Sequence, residues 1–176
     1  MTLRDRFDAE GILIEGPERQ RIDEVVICDP WPATLSEVES VLAPGSTSRR
    51  AAFRHLVGFM SWFDGAFALD PAREVWIRGR FASTLAPDVD DLDLVVHYGA
   101  RGVAAGDLWV LQALTSEPIN LDPVRLVVTP LRHDGTEYSF ERDKEARRSR
   151  VRALRPGTRE QIVAGWMRLV REEGDG

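Results

Sequence analysis

The chain has a single cysteine, Cys28, among its 176 residues, which excludes a disulfide framework and a cysteine-built zinc site. No apolar run approaches the length of a membrane span, and the opening MTLRDRFDAE lacks the apolar core of a signal peptide. The expected compartment is therefore the cytoplasm, with no membrane partner. Internal repeats and low-complexity tracts are missing as well, which removes solenoids and long disordered linkers. Strong basicity is also absent: the net charge is −6, and nothing in the composition marks a general nucleic-acid binder. What remains is ordinary for a globular protein, 43% hydrophobic and 30% charged. A chain of this length makes one domain that buries roughly two-thirds or more of its unfolded surface.

The most informative stretch is Val75 to Tyr98, VWIRGRFASTLAPDVDDLDLVVHY. It reads as a short apolar strand, a glycine turn at Gly79, a polar loop and a second strand. That second strand brings Asp91 and Asp93 into an apolar run. Side chains two apart on a strand share a face, so Asp91 and Asp93 project together while Leu92, Leu94 and Val96 bury on the other side. Paired carboxylates repel unless something positive sits between them. A divalent metal is the usual solution, and Mg²⁺ favours one or two carboxylates plus substrate phosphates. By itself, however, a D-x-D pair at a strand start is a weak signal, since such acids often just face water.

Ile77-Arg78-Gly79, a loop ending Pro87-Asp88-Val89-Asp90, and then Asp91-Leu92-Asp93-Leu94-Val95-Val96 resemble the core motif of the nucleotidyltransferase superfamily, the DNA polymerase β-like fold. More narrowly, the chain is similar to small bacterial and phage proteins of uncharacterised function in which a helix with an arginine pair precedes the motif. The resemblance covers 24 of the 176 residues, with a helix before it and a strand after it in the expected order. It implies Mg²⁺ held by Asp91 and Asp93 on a nucleoside triphosphate, and phosphates approached by Gly79, Arg80 and Ser83 with help from Arg49 or Arg50. It also implies transfer of a nucleotidyl group to an acceptor that the sequence does not identify.

Two residues depart from the family pattern. Arg80 stands where the family places Ser or Gly, and it either grips phosphate or fills the pocket and pairs with Asp91 or Asp93. The later strand VRLVVT, Val124 to Thr129, carries Arg125 where a third carboxylate would complete a metal site, with Asp122 just before it. Two arginines with two aspartates would make a salt-bridge cluster.

Elsewhere, GILIE (Gly11 to Glu15) and EVVICD (Glu24 to Asp29) read as strands of a hairpin in an N-terminal arm spanning 1–34. Trp31 lies between Pro30 and Pro32, as a plug against its own domain or, if exposed, an anchor for a partner. Thr34 to Leu42 is a short helix with Thr34 as N-cap and Glu37 three residues on. Ser46 to Trp62 is the strongest helix, with Phe53, Leu56, Val57, Met60 and Phe63 at helical spacing. Arg49 and Arg50 in its first turn oppose the helix dipole, either for a functional reason or in surface ion pairs with Glu37 or Glu39. His55 reads as a half-buried polar residue, and His97 as a neighbour of the carboxylates by strand alternation.

Arg101 to Ser116 is a crossover helix between apolar strands, as a βαβ unit requires. Asp134-Gly135 before EYSF suggests a tight hairpin. Residues 142–155 hold seven basic side chains against two acidic, a net +5 that leaves −11 on the rest of the chain. This basic segment is either a solvated surface or a contact for an acidic protein or an RNA partner. The Thr158-Arg-Glu-Gln161 capping box and Ile162, Val163, Trp166, Met167 and Val170 predict a final helix.

The expected fold is a single α/β (α+β) domain with a small mixed β-sheet flanked by helices. Two functions remain open. One is Mg²⁺-dependent nucleotidyl transfer from a nucleoside triphosphate. The other is a catalytically inactive copy of the same fold, a binding or regulatory protein of toxin–antitoxin or phage-related type that acts through its basic surface.

Overall fold

The computed structural model describes residues 2–22, 25–85, 87–99, 101–147, 153–154, 161–162 and 165–171. Its architecture is a six-stranded mixed sheet with helices, an α+β arrangement as the sequence leads one to expect. In chain order the strands are β1 (Glu18–Ile22), β2 (Val25–Cys28), β3 (Trp31–Ala33), β4 (Glu74–Arg78), β5 (Asp91–Tyr98), β6 (Ile119–Asn120), β7 (Arg125–Arg132), β8 (Ala153–Leu154), β9 (Gln161–Ile162) and β10 (Met167–Leu169). The helices are α1 (Leu35–Leu42), α2 (Thr47–Ala66), α3 (Ala105–Ser116) and α4 (Glu137–Arg147). The main sheet runs β3-β10-β4-β5-β7-β6, while β1-β2 and β8-β9 form separate two-stranded ladders. No helix among the described residues is long and apolar enough to cross a membrane.

Local chemistry accounts for the helix starts. Thr34 and Glu37 form the expected capping box on α1: Glu37 N–H donates to Thr34 Oγ1 at 3.2 Å, and Thr34 N–H to Glu37 Oε2 at 3.0 Å. Ser46 caps α2, accepting from Arg49 N–H at 3.2 Å. Helix α3 starts later than its sequence suggests because Gly102 takes a φ of +74°, outside helical space. It connects β5 to β7, which pair in parallel from Asp91↔Arg125 to Tyr98↔Arg132, and so completes the predicted βαβ unit.

The two faces of the sheet bury different residues. On one, Leu56, Phe59 and Phe63 of α2 with Phe67 pack against Val75, Ile77, Leu92, Leu94, Val96, Leu126 and Val128. Phe63 and Phe67 stack with centroids 4.5 Å apart. On the other, Trp76, Val95, Leu131 and Trp166 make a smaller cluster. Because both faces are covered, β5 reads as a nearly continuous apolar run after its two aspartates.

Three expectations are corrected. The C-terminal stretch is not a helix where it is described: Met167–Leu169 is a strand between β3 and β4. The pairing row of β4 outweighs a helical periodicity that local spacing alone suggests. Gly165 makes the approach to that strand feasible, since a Cβ there would lie 1.9 Å from the Ile14 carbonyl oxygen. The N-terminal hairpin is formed by 18–22 and 25–28, not by 11–15, whose groups are used otherwise: Leu13 bridges Phe7, and the Leu13 carbonyl accepts from Gly165 N–H at 2.7 Å. Finally, EYSF is the first turn of α4, not a hairpin strand. Asp134 Oδ1 accepts from Thr136 Oγ1 at 2.6 Å and from its N–H at 3.1 Å, while Thr136 Oγ1 accepts from Ser139 N–H at 3.2 Å, so the Asp-Gly turn leads into a helix cap. These bonds from Thr136 hold the Asp134 carboxyl below its ordinary value. Residues 158–160 of the expected capping box, the tail 172–176 and much of the basic segment lie outside the described residues.

Candidate functional site

The D-x-D pair sits at the start of β5, where two neighbouring strands bring arginines to it. In the antiparallel β4–β5 ladder Arg78 is opposite Asp93, and in the parallel β5–β7 ladder Arg125 is beside Asp91. Cross-strand partners on one face stand close enough for their side chains to meet. Arg78 Nε donates to Asp93 Oδ2 at 2.7 Å, and its Nη2 donates to Thr129 Oγ1 at 2.9 Å. Arg125 Nε donates to Asp91 Oδ1 at 2.8 Å. Arg80 reaches neither motif carboxylate. It pairs with Asp90 at 3.1 Å, and both of those side chains are 71% exposed. Three arginines thus face three aspartates at this end of the sheet.

Gly79 shapes the turn. Its φ of +74° and ψ of −158° lie in a region that only glycine occupies readily, and it leads into a 3-10 turn over Arg80–Ala82. A Cβ at this position would meet Asp93 Cβ at 3.5 Å, so space is not the restriction and backbone conformation is. Gly79→Ala is expected to lower stability by about 1–3 kcal/mol, read as a lower urea midpoint at unchanged slope.

Ser83 and the arginine pair are tied into the scaffold. Ser83 Oγ donates to the Gly11 carbonyl at 2.8 Å and accepts from Leu85 N–H at 3.1 Å. Arg49 is 3% exposed, and its guanidinium donates to the Leu42 carbonyl at 3.2 Å and to the Ser83 carbonyl. Burial lowers the Arg49 pKa, and the charge of Asp88 opposes that effect. Arg50 is exposed and donates to the Gly45 carbonyl at 3.1 Å. These bonds go to backbone at the two ends of the α1–α2 connection and to the motif loop, and Arg50 Nη2 also donates to Thr47 Oγ1 at 3.4 Å. Ser48 does similar work: its hydroxyl donates to Asp88 Oδ1 at 3.0 Å and accepts from Val89 N–H at 3.1 Å.

The arrangement does not fit Mg²⁺ as it stands. That ion needs near-octahedral oxygen ligands at about 2.0–2.1 Å. Here one oxygen of each motif carboxylate is already held by a guanidinium, and the residues beside Asp91 and Asp93 on β7 are Arg125 and Val127. Asp122 does not substitute, because β7 starts at Arg125 and Asp122 lies in the exposed turn before it. A scan of protein-family models and searches of curated proteins and solved structures find no match to this chain. The nucleotidyltransferase resemblance therefore rests on the motif residues.

One feature of the site was not read from the sequence, and one neighbour read from it lies further off. Arg78 is the partner of Asp93, which only the β4–β5 register reveals. His97 shares the face of Asp93 but lies four residues further along β5, about 13 Å at the rise of a strand. It is buried under Trp76, with ring centroids 4.0 Å apart, and belongs to a different group of side chains. Trp31 is held by its own domain: its Nε1 donates to the Ile14 carbonyl at 3.0 Å, and the Arg6 guanidinium lies 3.7 Å over its ring. A cleft of about 910 Å³ between α2 and strands β4 and β10 includes none of the D-x-D residues, and charges on its walls are paired, Arg168 with Glu74 at 3.4 Å and Arg171 with Asp64 at 3.2 Å.

Proposed function

We propose that this chain is a catalytically silent, nucleotidyltransferase-like protein that works by binding a partner. The observation that supports the reading is that a guanidinium holds one oxygen of each motif carboxylate, with Arg125 in the place of a third carboxylate. A carboxylate held by an arginine in this way is a poor ligand for a metal that binds through charge and oxygen geometry. The partner is an acidic protein or an RNA, and the contact surface is the basic segment 142–155, whose +5 charge contrasts with −11 elsewhere. Charge reversal at Arg147, Arg148 and Arg150 is expected to release a co-purifying partner, while Asp91→Asn and Asp93→Asn leave it bound. Release by the aspartate changes and not by charge reversal would move the contact to the strand end and refute this reading.

A second reading is Mg²⁺-dependent nucleotidyl transfer from a nucleoside triphosphate. In its favour, Asp91 and Asp93 share a face next to a glycine turn, with Arg80 exposed beside them. It requires the phosphates of the bound nucleotide to draw Arg78 and Arg125 away from the carboxylates.

A further inference from the structure

Three potential metal ligands from three elements meet on the sheet face opposite α2. His97 comes from β5, His133 from the residue just after β7, and Asp143 from α4. His97 Nδ1 lies 2.7 Å from His133 Nε2 and 3.7 Å from Asp143 Oδ1, and one ligand atom from each of the three lies within 4.8 Å of the others. Zn²⁺ bonds of about 2.0–2.2 Å at tetrahedral angles place neighbouring ligand atoms about 3.3 Å apart, between the two separations observed here.

We propose that His97, His133 and Asp143 form a binding site for a divalent transition metal of the Zn²⁺ type, which fastens α4 to the sheet. Two imidazoles and one carboxylate suit such a metal better than Mg²⁺ or Ca²⁺, which prefer oxygen throughout. The surroundings are built to hold the ligands. Trp76 covers the His97 ring, the His133 N–H donates to the Tyr98 carbonyl at 2.7 Å, and Arg142 Nη2 donates to the Pro130 carbonyl at 3.1 Å beside Asp143. His97 is 2% exposed, while His133 and Asp143 are half-buried, and a water would supply the fourth ligand. Among the described side chains of α4, Ser139 is buried and Phe140 is 68% exposed. This site is independent of the D-x-D pair and of the function proposed for it.

The test titrates Zn²⁺ into the full chain as wild type, His133→Gln, Asp143→Asn and an Asp91→Asn/Asp93→Asn double variant, following the melting temperature, with Co²⁺ as a spectroscopic stand-in. Circular dichroism checks that each variant is folded. Wild type and the double variant are expected to gain a Zn²⁺-dependent rise in melting temperature and a Co²⁺ visible absorption band. His133→Gln and Asp143→Asn should weaken binding by more than about 100-fold, beyond the 10–100-fold that loss of an outer partner costs, and lose the band. Imidazole signals shifted by Co²⁺ in the NMR spectrum of the wild type give a readout that needs no variant. Absence of metal binding in the wild type, its survival in both single variants, or its loss in the double variant would each overturn the assignment.

Discussion

Trp76→Ala is expected to lower the unfolding free energy by about 3–5 kcal/mol, the range for removing a fully buried aromatic side chain. Trp76 has no exposed surface and is the centre of the smaller core. Its ring meets Trp166 at 5.6 Å and His97 at 4.0 Å, and its Nε1 donates to Glu74 Oε2 at 2.9 Å. Alanine would leave a cavity beneath His97 and remove the donor from Glu74, so transfer and cavity costs add to a lost hydrogen bond. For a chain of this size the loss corresponds to a melting temperature lower by about 6–20 °C. Trp76→Phe fills most of the cavity without restoring the donor and is expected to recover the larger part. A fall below about 1 kcal/mol for the alanine variant would mean that the face under α4 is not packed as described.

Arg49→Ala is the second large effect, with an expected loss of about 2–4 kcal/mol. Depriving the buried Leu42 carbonyl and the half-buried Ser83 carbonyl of their donor costs roughly 1–3 kcal/mol each, less the relief of no longer burying a charge. Those carbonyls belong to Leu42 and Ser83, so one guanidinium joins the end of α1 to the motif loop. Arg49→Lys should recover less than half, because an ammonium lacks the fork that spans two acceptors. The neighbouring Arg50→Ala, on an exposed side chain, should stay within about 0.5 kcal/mol of wild type. Urea unfolding at constant slope separates these outcomes. If Arg49 served phosphate and not the scaffold, its removal would leave the midpoint unchanged.

Much of this arrangement can be read from residues, and what escapes has identifiable causes. The α1 capping box, the Ser46 cap of α2 and the βαβ order from Asp91 to Arg132 depend on contacts a few residues apart or on strong apolar patterning, and they are legible. Within α2 the spacing placed Val57 on the apolar face, yet it is 40% exposed, while Phe59 is buried in its stead. The apolar stripe was legible, but its edge depends on what packs against it. Met167–Leu169 was not legible, because a three-residue strand is defined by β3 and β4 on either side and its own spacing suits a helix. Of the ion pairs, Arg125 with Asp91 follows from the parallel order of the strands. The pairing of Arg78 with Asp93, like the meeting of His97, His133 and Asp143, depends on register and on where α4 lies, which no local pattern encodes.

The most direct measurement is a thermal-shift titration of the purified chain with ATP, GTP, CTP and UTP, each with and without Mg²⁺. A ligand that binds only the native state raises the midpoint by mass action, by about 2.7 kcal/mol of added stability at a hundred times its dissociation constant. With Asp91 and Asp93 held by Arg125 and Arg78, no Mg²⁺-dependent shift is expected with any of the four nucleotides at millimolar concentration. A stabilisation that needs both the metal and the triphosphate, and that disappears in Asp93→Asn, would contradict the silent-site account and establish the D-x-D pair as a working metal site.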